Sequence, residues 1–182
     1  MDSESARMSS AAQARFRIAA PNSKPRAVKV IALDNPSERA VKELAQAPWQ
    51  SATFLTASAF SSAPRHGERF SMGGWLNDLA GRTKDLVAEV DSADLVVMVA
   101  NAGENAAAAA IIGEACNLKH VMTTALILAP PPYPPPLAGE GRVGASDEAL
   151  SKMLAQLRPY ATMLVISSAD EYIKDMLTAL RA

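Results

Sequence analysis

Five segments of this chain place polar side chains directly after apolar runs: Asp34 to Ser37, Thr56 to Ser58, Asn101 to Asn105, the start of a proline run at Pro130, and Ser167 to Asp170. In open α/β sheets, ligands bind outside the carboxyl ends of the strands, near a reversal of strand order. Asp34, with Asn35 beside it, follows the first apolar run. A carboxylate there can bind ribose hydroxyls or a metal, and it can equally serve as a turn residue. Asn101, Gly103, Glu104 and Asn105 precede an alanine-rich helix. The free N–H groups and positive dipole end of such a helix attract an anion. Gly103 alone in that loop lets the backbone approach a ligand closely, and Glu104 repels phosphate. The same Asn101, Glu104 and Asn105 are suited to capping the helix. Asp34, Asn35, Asn101, Gly103, Glu104 and Asn105 are therefore the candidate binding set, with a nucleotide or other small anion as the candidate ligand. No catalytic group and no particular cofactor is specified.

Other residue types narrow the chemistry. One cysteine, Cys116, excludes an internal disulfide framework and a cysteine-based zinc site. The two histidines, His66 and His120, leave little for a histidine-rich metal centre. Ser167 and Ser168 fit capping better than nucleophilic attack, because no histidine falls in a matching loop. His120 lies between a helix end and a strand start, on the edge opposite the ligand-binding face, where it caps the helix. Residues 58–74 carry a lone His66 that could reach a site, with Arg65 and Arg69 beside it that could close over an anion, while Phe70 and Trp75 suit anchoring that loop. Neither GxGxxG nor GxxxxGK[ST] occurs.

The elements that must position these residues follow from periodicity. Val28 to Leu33 reads as a strand, and Asn35-Pro36-Ser37-Glu38 as a helix start with Asn as N-cap and Glu three residues on. Ala40, Val41, Leu44 and Ala45 form the buried face of that helix, which Pro48 stops. Ala52 to Ala57 is a second strand. Leu76, Leu79, Ala80, Thr83, Leu86, Val87 and Val90 recur at helical spacing and predict a helix over 76–90. Leu95 to Ala100 has no polar alternation, as in a strand covered on both faces. Ala106 to Leu118 predicts a helix and Val121 to Leu128 a buried strand. A helix capped near Ser146, a strand at Thr162 to Ser167, and a last helix behind Ser168-Ala169-Asp170-Glu171 complete the chain. Alternating strands and helices imply right-handed crossovers. The expected fold is α/β: a Rossmann-like three-layer sandwich around a mainly parallel sheet of five or six strands.

Composition agrees with one such domain. The 182 residues are 49% hydrophobic and 20% charged, a globular balance. Eighteen Lys+Arg oppose nineteen Asp+Glu, so no strong field draws the protein onto nucleic acid or an anionic membrane. Its apolar runs reach six to eight residues, whereas a membrane helix needs about twenty. A cytoplasmic protein is expected. Residues 1–26 hold an excess of three positive charges and read as a flexible tail, with a single domain over 27–182.

Residues 130–145, PPPYPPPLAGEGRVGA, contain six of the twelve prolines and three of the nine glycines. Such a stretch cannot form a helix or sheet interior. Proline-rich arms can dock on SH3-type partners. The Pro-Pro-Pro-Leu-Ala-Gly-Glu-Gly-Arg-Val-Gly run also resembles peptides encoded by repetitive elements inserted in bacterial reading frames. That resemblance implies a tolerated surface insertion in a bacterial protein.

The order of elements, with Val28-Lys29-Val30-Ile31, Arg39-Ala40-Val41 and above all Ser92 to Leu128, resembles the nucleotide-binding domain of the FtsZ/tubulin family. Ala93 to Ala100 is similar to that family's strand before its glycine-rich signature loop, and Ala109 to Ala115 to the helix after it. The resemblance spans about residues 27–180 and implies a nucleotide pocket at the strand ends. The family's phosphate loop has several glycines and a threonine. Here the matching positions read Asn101-Ala102-Gly103-Glu104-Asn105-Ala106-Ala107, and Asp34-Asn35-Pro36-Ser37 replaces the glycine-rich turn after the first strand. The chain also ends before the family's central helix and second domain. GTP hydrolysis and filament assembly are therefore not expected. The expectation is a divergent, non-hydrolytic domain with a vestigial pocket, acting through protein contacts, with a homodimer among its partners. The alternative is an enzyme that binds a nucleotide or dinucleotide cofactor at the same loops.

Overall fold

The run Leu95 to Ala100, with no polar alternation, buries both faces inside a covered parallel sheet, paired in parallel with Val28–Ala32 on one side and Met122–Leu128 on the other. The computed structural model describes residues 25–58, 76–129, 145–167, 171–180 and 182. The chain runs β1 (Val28–Ala32), α1 (Asn35–Leu44), β2 (Ala52–Thr56), β3 (Leu76–Asp78), β4 (Thr83–Lys84), α2 (Leu86–Asp91), β5 (Leu95–Asn101), α3 (Ala108–Lys119), β6 (Met122–Leu128), α4 (Ala145–Leu157), a 3-10 turn (Arg158–Tyr160), β7 (Met163–Ser167) and α5 (Glu171–Ala179). The sheet order is β4-β3-β2-β1-β5-β6-β7. The five strands from β2 to β7 through β1 are parallel, and β3 and β4 join antiparallel at one edge.

Alternate residues of the central strands feed two cores. Ile31, Val96, Met98, Ala125 and Ile127 pack under α2, α3 and α4, against Leu86, Ile112, Cys116, Met153 and Leu157. Val30, Val97, Val99 and Leu126 pack under α1 and α5, against Val41, Ile173 and Leu177. The chain is thus three-layered and mostly parallel, as expected. From β1 it winds outward through α1 on one face to β2. From β5 it winds the other way through α3 and α4 on the opposite face. Strand order therefore reverses between β1 and β5, the switch point of a doubly wound sheet.

Among the described residues the sheet has seven strands rather than five or six, because the helix expected over 76–90 is not continuous. Its first half is the β3–β4 hairpin, and only Leu86–Asp91 is helical. Local side-chain bonds decide this. The Asp78 carboxylate accepts from the N–H of Ala80 (3.0 Å) and of Arg82 (2.8 Å) and pairs with Arg82 Nε at 2.7 Å. Gly81 turns the chain at φ +79°. Asp85 then caps the short helix by accepting from Val87 N. Leu76, Leu86 and Val90 still bury in one core, while Leu79 packs into the other.

Two further details differ. The N-cap of α1 is Asp34, and the reciprocal partner is Ser37 rather than Glu38. α3 begins at Ala108, two residues later than expected. His120 ends α3 in the left-handed conformation, φ 57°, its N–H donating to the Asn117 carbonyl, as its position suggested. The N-terminal stretch through residue 24, the segment 59–75 with Arg65, His66, Arg69, Phe70 and Trp75, the proline insertion through residue 144, and the Ser168 to Asp170 cap lie outside the described residues.

Candidate functional site at the carboxyl edge of the sheet

The carboxyl edge is built as a continuous rim. Backbone bonds carry the strand pairing one residue beyond the strands: Leu33 N to Val99 O (2.9 Å), Ala57 N to Ala32 O (2.8 Å), Ala102 N to Leu128 O (2.8 Å) and Ala129 N to Ser167 O (2.9 Å). Of the loops selected from the sequence, Asp34 to Ser37, Thr56 to Ser58 and Asn101 to Asn105 emerge from this rim.

Asp34 stands at the switch point itself, buried to 6% exposure. One carboxylate oxygen accepts from Ser37 N at 2.7 Å, capping α1. The other accepts from Asn101 N at 2.7 Å, across the reversal of strand order. Ser37 is fully buried and returns the cap, its hydroxyl oxygen accepting from Asp34 N at 3.2 Å. Asp34 and Asn101 are thus brought together, with the carboxylate engaged on two backbone amides. Asn35 opens the first turn of α1 with its side chain exposed.

Gly103, Glu104 and Asn105 are brought together in a neighbouring cleft of about 590 Å³. Its other wall is α4, which contributes Glu148, Ala149, Lys152, Met153 and Gln156. Gly103 adopts φ +96°, a conformation that favours glycine, and makes the turn closed by Glu104 N to Asn101 O at 3.1 Å. The N-cap of α3, Ala107, has no side chain able to cap. Neighbouring groups satisfy this end instead. Asn105 Oδ1 accepts from Ala107 N at 2.9 Å, and Gln156 Oε1 accepts from Ala106 N at 3.4 Å. Among the described residues, Glu104, Glu148 and Lys152 form no ion pair.

A third polar group lies on the other side of the switch point. Glu38 accepts at Oε2 from the hydroxyls of Thr56 (3.0 Å) and Ser58, and its Oε1 pairs with Lys42 Nζ at 2.6 Å. Burial works to raise the Glu38 pKa, but the hydrogen bonds from Lys42, Ser58 and Thr56 outweigh it and hold the carboxyl below its ordinary value. A carboxylate stabilised in this way is a weak base, suited to fixing the β2 end against α1.

No family model and no curated protein matches the sequence. The residues alone therefore carry the functional argument. Sequence reasoning missed Glu148, Lys152 and Gln156, the α4 wall. Their spacing of four was a usable signal, since it marks one polar stripe along a helix whose apolar stripe is Leu150, Met153, Leu154 and Leu157. What that stripe faces is set by tertiary packing. The sequence also presents Glu38 as a capping residue, whereas in the fold its carboxylate engages the hydroxyls of Thr56 and Ser58. Among the described residues no three His, Cys, Asp or Glu side chains gather as a metal site, and no helix is long and apolar enough to cross a membrane.

Proposed function

We propose that this chain is a non-hydrolytic α/β domain, divergent from the FtsZ/tubulin nucleotide-binding domain, that acts through protein contacts and keeps at most a vestigial nucleotide pocket. The observation that carries this reading is the Asp34 carboxylate bound to Ser37 N and Asn101 N. A phosphate at the switch point would need backbone amides of this kind, and here the protein's own anion holds them. The α3 N-terminus supports the same reading, because Asn105 and Gln156 engage amides at that end and Glu104 adds negative charge beside it. Contacts with a second copy belong to this proposal.

Saturation binding with GTP, ATP and NAD tests it. The expected result is no stoichiometric complex at micromolar ligand. Tight binding of any of the three overturns it. Native mass spectrometry on the same sample reads subunit number and any retained small molecule together.

A second reading, a nucleotide- or dinucleotide-cofactor enzyme, is favoured by the 590 Å³ cleft beside the β5 end. It requires a ligand recovered from the purified protein, and it requires Gly103→Val to abolish binding of that ligand. Binding that survives the substitution places the pocket elsewhere.

A further inference from the structure

We draw no further inference here: the strongest candidate, the uncharged outer edge strand β7 with Met163 and Ile166 each about half exposed, carries nothing because nothing in the structure shows what covers it.

Discussion

Asp34 and Glu38 sit one helical turn apart at the start of α1, and the structure uses them differently. Asp34 is a buried acceptor for two amides from separate elements, Ser37 N and Asn101 N. Asp34→Ala removes a helix cap, worth about 1 kcal/mol, and strands an amide beneath the rim, at about 1–3 kcal/mol. A loss of about 3 kcal/mol in urea unfolding is expected, with a smaller loss for Asp34→Asn, which keeps one acceptor oxygen. Unchanged stability in Asp34→Ala would remove the carboxylate from its place at the switch point. Glu38 is a matter of pH. Its folded pKa lies below the ordinary value of 4.5, because bonds from Lys42, Ser58 and Thr56 outweigh the effect of burial. A depressed carboxyl contributes stability that is complete above the unfolded pKa and is lost as pH falls through the folded one. Wild type should therefore lose stability more steeply than Glu38→Gln below about pH 4.5. Parallel acid profiles for the two proteins would show that those hydrogen bonds do not favour the charged form.

At the scale of elements, the segment 76–91 shows where periodicity misleads. Its apolar spacing fits a helix, yet Asp78 captures the amides of Ala80 and Arg82, and Gly81 reverses the chain. The two descriptions make opposite predictions for Gly81→Ala. Within a helix, alanine gains about 1 kcal/mol over glycine. At φ +79° with nothing within 4 Å of a Cβ, the backbone alone decides, and a left-handed alanine costs about 1 kcal/mol. Destabilisation on urea unfolding is expected, and a stabilised variant would restore the helix. Gly113 in α3 gives a second contrast. Alanine there raises helix propensity, but its Cβ would collide with Tyr160 Cβ and lie 2.9 Å from its Cγ. Overpacking of this kind costs about 1–3 kcal/mol, so Gly113→Ala should destabilise the protein. The collision involves the Tyr160 Cβ itself. Adding Tyr160→Gly should therefore recover more of the loss than adding Tyr160→Ala, each measured against its own single variant, because alanine sheds the ring contacts at 2.9 Å but keeps the colliding Cβ. No recovery in the Tyr160→Gly background would place the strain elsewhere.

At the scale of the whole molecule, what could be read from the sequence was what repetition makes redundant. Leu95 to Ala100 and Val121 to Leu128 needed cover on both faces, so a parallel sheet between helices followed. The switch point was not specified by any one segment, because it depends on β5 pairing with β1 instead of extending beyond β2. Asp34 was visible as a candidate but not as a tether, since its partner Asn101 lies 67 residues away. Glu148, Lys152 and Gln156 became a cleft wall only when α4 docked beside α3. Cys116 tests this long-range assembly directly. It is fully buried on α3 in the core beneath α2 and α4, and burial pushes its thiol pKa up to about 12. The reactive thiolate is therefore scarce in the folded state, and reagents cannot reach the sulfur without separating α3 from the sheet. If the layers open as one unit, labelling of Cys116 by a thiol reagent in increasing urea should report the global unfolding free energy, with its full denaturant slope. Fast labelling that is insensitive to urea would mean that α3 leaves the sheet by itself, and the three layers would not form one cooperative core.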